Sequence, residues 1–378
     1  MSSLVVYLTI ISITVFFTIV ALKSNEKKKI YFFNVLSVLF PSVFAALRYN
    51  IGTDYQIHQQ VFEEISQGIP ISKRAEIGYV LLNKVVAIVG GPYNVLLFLV
   101  ALISIGCIYY TLYFFKNEIC VPVAMLAYML LYYQMSFNFI RQMLATSVAL
   151  LATVVFLQKK KALSIIICCI AASFHITALI YIPVLLLYDF FSEQRYQHLR
   201  NWVYIALTLL VFLYPFILMP VLEQVQEWIP SLRYFINYLA VEYKPLGFGM
   251  FRYILLFIVP GVLFYKTMVK TMRFYYNVSL LGFIMWLTSY VTQREFYRIS
   301  YTYLIMIIIL IGYFWKNSEN VLQELNIKKS FTQTAIYKHR ELIFKMLLLA
   351  LMIFFWYYDY FYLKSHETVP YISILGSL

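Results

Sequence analysis

Apolar residues in this chain come in long unbroken runs separated by short polar stretches, and neither strict alternation nor a single amphipathic stripe dominates. Runs long enough to span a bilayer, or nearly so, occupy 4–22, 30–47, 93–115, 119–136, 138–157, 202–219, 249–266, 275–291, 300–315 and 342–363. A hydrocarbon core about 30 Å thick needs roughly 20 such residues in a helix. An isolated strand at that depth would leave its backbone amides unbonded. Each run is therefore predicted to be helical. The stretch 162–188 is too long for one straight span and short for two, and His175 lies at its middle. Glu76–Gly90 is also helical in pattern, but its shortness and the central Lys84 fit a helix lying in the interface.

Charge changes this picture by giving it a direction. Lysines collect at 23–29, 159–161, 266–273 and 316–345, and the positive-inside rule puts all four groups on the cytoplasmic side. That holds only if 162–188 enters and returns, so a short or re-entrant hairpin is predicted with His175 near its outward tip. The resulting prediction is an all-α polytopic membrane protein with about 12 membrane helices of this length. It forms one transmembrane domain over 1–378, with outer loops 48–92 and 220–248, inner loop 317–341 and both termini extracytoplasmic. The first run lacks the basic flank and small-residue site of a cleaved signal, so it is read as a retained helix.

Composition agrees. Hydrophobic residues are 62% and charged residues 12% of the chain, against roughly half and a quarter in a soluble domain. The net charge of +13 sits in short loops between apolar runs, which points to topology and anionic headgroups and away from nucleic acid. Cys107, Cys120, Cys168 and Cys169 lie in or beside apolar runs without metal-ligand spacing and read as packing residues. No phosphate-cradling glycine loop is present, and no metal or cofactor is expected.

The type of basic residue also differs between the faces. In this topology 7 of the 11 outward basic residues are arginine, but only 4 of the 19 inward ones. Lysine suffices for topology. Arginine's planar fork suits phosphate oxygens and partly buried pairs, so the outer face is expected to bind an anion.

Four polar clusters fall on that face, and groups of this kind at membrane depth are functional candidates. Arg48-Tyr49-Asn50-Ile51-Gly52-Thr53-Asp54-Tyr55 reads either as a helix stop with an Arg48–Asp54 ion pair or as an anion site whose Asp54 orients or deprotonates a hydroxyl. Asn138, Arg141 and Gln142 stand at i, i+3 and i+4 at the start of an apolar helix. The backbone dipole there disfavours a cation, so Arg141 needs an acidic neighbour such as Asp54 or an anionic ligand. His175 is either hydrogen-bonded structure or a base or donor toward phosphate. Arg294, Arg298 and Tyr301 line one helical face beside Glu295, as an ion-paired loop or as more of the anion site. Glu76 joins Asp54 and His175 as a candidate proton acceptor, and tyrosines such as Tyr55 are placed to stack on sugar rings.

The order of Arg48…Gly52-Thr53-Asp54-Tyr55, Glu76-Ile77-Gly78-Tyr79 with Leu82-Asn83, Phe137-Asn138…Arg141-Gln142, and Ser173-Phe174-His175 with Ala178-Leu179 resembles the EpsG family. These are integral-membrane polymerases of bacterial exopolysaccharide and capsule, similar in role to Wzy-type O-antigen polymerases. His58 departs from the aromatic expected after the Asp-Tyr pair. The resemblance implies a plasma-membrane glycosyltransferase that joins oligosaccharide repeat units carried on undecaprenyl diphosphate, and an architecture related to the GT-C type. It implies lipid-linked glycans, membrane lipids and polysaccharide assembly proteins as partners. The residues leave two other readings open: a flippase or transporter for the same lipids, and a membrane O-acyltransferase.

Overall fold

The computed structural model describes residues 2–229, 247–291, 296–324 and 339–376. Helices dominate, and no strand occurs among the described residues. Among the described residues seven helices are long and apolar enough to cross a membrane: Ser3–Lys23, Lys27–Leu47, Tyr93–Phe114, Ile140–Leu157, Gln194–Ile217, Arg298–Glu319 and Arg340–Tyr362. Five shorter apolar helices accompany them. The all-α membrane protein read from the apolar runs is what the chain forms. The chain divides into two compact units, one of Met1–Leu185 with Ile311–Leu378 and one of Leu186–Leu310.

In the first unit α1 (Ser3–Lys23) and α2 (Lys27–Leu47) form a hairpin. Their seam uses hydroxyls that satisfy themselves inside the helices. Thr14 donates to the Ile10 carbonyl at 2.7 Å, Thr18 to the Thr14 carbonyl at 3.0 Å, and Thr18 reaches Ser37 of α2 at 3.3 Å. Small hydroxyl residues let two helices approach closely and leave no polar group bare in an apolar setting. Pro41 interrupts α2, and its carbonyl accepts from the Tyr133 hydroxyl at 2.7 Å.

Two helices fill the segment between α2 and the next long helix: α3 (Tyr55–Ser66) and α4 (Ile77–Ile88). In α4, Ile77, Leu81, Val85 and Ile88 are exposed along one stripe while Tyr79, Asn83 and Val86 are buried. That amphipathic split suits a helix seated at an apolar boundary. Then come α5 (Tyr93–Phe114), α6 (Val121–Leu131), α7 (Ile140–Leu157) and α8 (Lys161–Phe174). His175 ends α8 in extended backbone, and Ile176–Ile180 packs back against both α8 and α7.

One break between predicted spans is wider than the sequence runs indicate. The apolar runs 119–136 and 138–157 read as two spans that almost touch. The first helix ends at Leu131, a 3-10 turn follows at Met135–Phe137, and α7 starts only at Ile140. Irregular backbone at this depth survives only where protein buries it. Tyr132, Tyr133, Gln134, Met135, Phe137, Asn138 and Phe139 are all buried. Gln134 serves as the clamp: its amide nitrogen donates to Thr368 Oγ1 at 3.0 Å, and its carbonyl accepts from the Trp356 indole at 2.6 Å.

Trp356 belongs to the helix Arg340–Tyr357, after which residues 363–376 run in irregular backbone along the C-terminal end of α2. Tyr49 donates its amide to the Ile372 carbonyl at 2.9 Å, and Ile374 donates to Leu47 at 2.9 Å.

In α4, Gly78 marks where that helix meets α8. A Cβ built there would lie 2.2 Å from Ser173 Oγ and 2.8 Å from the Ser173 carbonyl oxygen. Gly78→Ala should therefore destabilise the protein by about 1–3 kcal/mol through overpacking. Pairing it with Ser173→Ala should restore only part, because the backbone oxygen stays. Thermal unfolding in detergent reads both; an alanine variant as stable as the parent would contradict this packing.

Candidate active site

Three stretches of the first unit converge: the turn after α2, the break between α6 and α7, and residues 364–368. Gly52 makes the first junction possible. Its φ is +100°, and a Cβ there would stand 3.0 Å from the Phe137 carbonyl oxygen. Its amide donates to the Glu367 carbonyl at 3.2 Å. Asn138 joins all three stretches. Its carbonyl oxygen accepts from Thr53 Oγ1 at 2.5 Å and from the Asp54 amide at 2.9 Å. Its amide group lies 3.1 Å from His366 Nδ1. With the carbonyl committed to two donors, the –NH₂ must face the imidazole. Nδ1 then accepts, and a neutral His366 carries its proton on Nε2.

His366 was not legible as a site residue in the sequence, since it stands alone after an apolar run. The backbone is its signal. Lys364, His366 and Glu367 all hold positive φ (51°, 66° and 50°). Such conformations cost non-glycine residues on the order of 1–3 kcal/mol each and persist where surroundings enforce them, often at functional sites. Asn138 and Gly52 supply that enforcement, and His366 also packs edge-on to Phe139 with centroids 5.0 Å apart.

Arg48 lies under this surface, 3% exposed. It donates to the Ala45 carbonyl and stacks 4.5 Å from the Phe137 ring centroid, while its Nε has no partner. Among the described residues no carboxylate pairs with it. The ion pair with Asp54 that the sequence allowed is not formed. Burial pushes the guanidinium's pKa down, opposed by the hydroxyls of Tyr93, Tyr133, Tyr55 and Tyr371. Arg48 also lines a cavity of about 20 Å³ with Ser104, Tyr128 and Ser136, enough for about one water.

Arg141 has its acid, and it is Glu76. The pair is 2.5 Å apart at about one-quarter exposure on each side. Arg141 also donates to the Arg74 carbonyl at 3.1 Å and stands over Tyr79 at 5.9 Å. Gln142 is buried, whereas Arg141 is part-exposed, so the two point differently although they are adjacent. Asp54 caps the start of α3 by position, half-buried, and Tyr55 behind it is buried. His175 Nδ1 lies 2.8 Å from Thr177 Oγ1 and accepts from the Thr177 amide at 3.4 Å, so its neutral ring also carries its proton on Nε2. Arg298 and Tyr301 belong to the second unit, in and just after the turn Phe296–Ser300. Arg294 lies outside the described residues.

His58, the position that breaks the expected aromatic pattern, is 6% exposed with its ring centroid 5.6 Å from that of Tyr79. Burial, then Arg141 and then Arg48, push its pKa down to about 3. It therefore packs as a neutral ring in the place of an aromatic. A depressed histidine binds its proton more readily when unfolded. Stability should then fall as pH drops from about 6.5 toward 3, by up to ~1.4 kcal/mol per pH unit. His58→Phe should flatten that slope in thermal unfolding scans; an unchanged slope would remove His58 as its cause.

The fold and this site define a class: an α-helical membrane protein with a buried arginine, Arg48, next to a polar junction of Thr53, Asp54, Asn138 and His366. The chain matches the EpsG family model over residues 30–373 and belongs to the EpsG family. No curated protein and no solved structure matches it.

Proposed function

We propose that this protein is a polysaccharide polymerase of the bacterial plasma membrane. It joins oligosaccharide repeat units carried on undecaprenyl diphosphate at the outer face, in capsule or exopolysaccharide synthesis. The observation that carries this reading is Arg48: a buried guanidinium with no carboxylate partner and an unpaired Nε, beneath a polar junction. A buried charge without a counter-ion is costly, and an anionic leaving group would supply the missing charge.

In the reaction the acceptor hydroxyl oxygen bonds to the anomeric carbon of the growing glycan. The bond from that carbon to the diphosphate oxygen breaks, and undecaprenyl diphosphate departs with the electron pair. Arg48 and Arg141 stabilise the charge that develops there, and Arg294 and Arg298 are candidate diphosphate ligands on the strength of the sequence alone. His175 and His366, whose Nδ1 atoms face Thr177 and Asn138, are the imidazoles that orient phosphate or sugar oxygens. Glu76 is engaged by Arg141, and Asp54, held through its amide by Asn138, is assigned as the acceptor of the hydroxyl proton. Asn138, Gln142, Tyr55 and Tyr301 hold the sugars. A GT-C-type arrangement fits this division between membrane groove and outer catalytic face.

The test is incubation of the purified protein with lipid-linked repeat units and gel analysis of chain length. A ladder of products is expected. Movement of the lipid across vesicles without chain growth would make the protein a flippase, and transfer of labelled acetyl would make it an acyltransferase.

A further inference from the structure

A second site lies where lysines collect in the first unit. A cavity of about 650 Å³ is formed by the ends of α1, α2 and α5, the start of α6 and the helix Ile307–Glu324, with one residue from Arg340–Tyr357. Lys116, Lys316 and Lys345 line it, with Trp315 and Tyr113, and no carboxylate is among its lining residues. Lys345 is already bonded to Glu341. Lys316 is anchored by the carbonyls of Lys116 and Asn117 at 3.2 and 2.8 Å, and Lys116 stands 4.6 Å from the Tyr113 ring centroid. The two backbone carbonyls hold the Lys316 ammonium, the Tyr113 ring and its hydroxyl at 3.4 Å hold that of Lys116, and Glu118 acts on Lys316 electrostatically from outside the cavity lining.

Tyr113 is also the wall of a second cavity, about 510 Å³, between α2 and α5. Tyr31, Val35, Val38 and Leu39 face Leu102, Gly106, Tyr109 and Tyr110 across it, so it is apolar where the first is basic. From Tyr31 to Leu39 the helix rises about 12 Å, close to the ~15 Å depth of one leaflet. Tyr31 and Tyr110 are largely exposed along it. A basic mouth, an aromatic collar and an apolar groove one leaflet deep are the complement of one amphiphile.

We infer that this end of the first unit binds an anionic glycerophospholipid, its phosphate between Lys116 and Lys316 and one acyl chain in the groove between α2 and α5. The site uses none of the residues assigned to glycan transfer and does not depend on that reading. Basic pockets between membrane helices are known recognition sites for anionic headgroups. Gly106 supplies a direct test of the tail. A Cβ there meets only Val38 Cγ1, at 3.8 Å, so a larger side chain grows into the groove. Leucine also favours the helix over glycine.

The experiment is native mass spectrometry of the full chain, delipidated and titrated with dioleoylphosphatidylglycerol or dioleoylphosphatidylcholine, with inorganic phosphate and glycerol 3-phosphate as competitors. Preferential retention of phosphatidylglycerol is expected. The double variant K116Q/K316Q should weaken it about thirtyfold, and G106L should weaken it about tenfold or more by excluding the chain. Thermal unfolding confirms that each variant is folded, and G106A, which leaves the groove open, should bind like the parent. Equal retention of the zwitterionic lipid overturns the proposal. Full binding by G106L with equal competition by inorganic phosphate also overturns it, leaving a free-phosphate site.

Discussion

Arg48→Met should abolish polymer formation while leaving the protein at least as resistant to heat as the parent. The two effects separate because the same feature causes both. The guanidinium is buried without a carboxylate and with Nε unbonded, so the folded protein carries an uncompensated cost. Replacing buried charge by an apolar side chain of similar volume is often neutral or stabilising. In the proposed glycan transfer that charge faces the leaving diphosphate, and loss of such a contact costs on the order of 100-fold or more in rate. Arg48→Lys should also fail, by about tenfold to a hundredfold, because it keeps the charge but loses the fork and the stack on Phe137. Polymer length by gel and midpoint of thermal unfolding are the two readings. A methionine variant that is both inactive and markedly less stable would make Arg48 structural.

Asn138 should be nearly as sensitive, for a different reason. It touches Thr53, Asp54 and His366 at once and so sets the spacing of a carboxylate and an imidazole. Misplacement of reacting groups by about 1 Å can cost on the order of 100-fold. Asn138→Asp keeps the acceptor for Thr53 and the Asp54 amide but removes the donor to His366. Asn138→Ala removes both. The aspartate variant should lose activity by about tenfold to a hundredfold with its pH profile displaced, since a carboxylate beside His366 favours the imidazolium. The alanine variant should lose more without that displacement. Identical pH profiles in all three proteins would remove Asn138 from the positioning of His366.

Hydrophobic patterning was enough for the class of fold, since a long apolar run has few alternatives in lipid. The short helix within Glu76–Gly90 was legible from its pattern, and α4 exposes an apolar stripe along one side. The gap between α6 and α7 was not, because Tyr132–Phe139 is apolar enough to continue a helix. What breaks it is a set of partners far away in sequence, Thr368, Trp356 and His366. Arg141 was legible as a cation needing a partner, but proximity in sequence gave no means of choosing Glu76 over Asp54. His366 was invisible because its role depends on backbone dihedrals and on one amide 228 positions earlier.

The pairing of residues 366–374 with the start of the chain also bears on biogenesis. Tyr371 bonds Ser3, and Tyr7 bonds Thr368, across separations of 368 and 361 residues. Helices inserted one after another from the ribosome could reach their places long before this strap is made. Until then Asn138 lacks the imidazole beside it, and the Gly52 amide lacks its acceptor. A nascent chain stalled in the membrane would therefore hold lipid-facing helices without an assembled transfer centre. If the proposed function holds, cells would be spared a half-built polymerase acting on carrier lipid during synthesis.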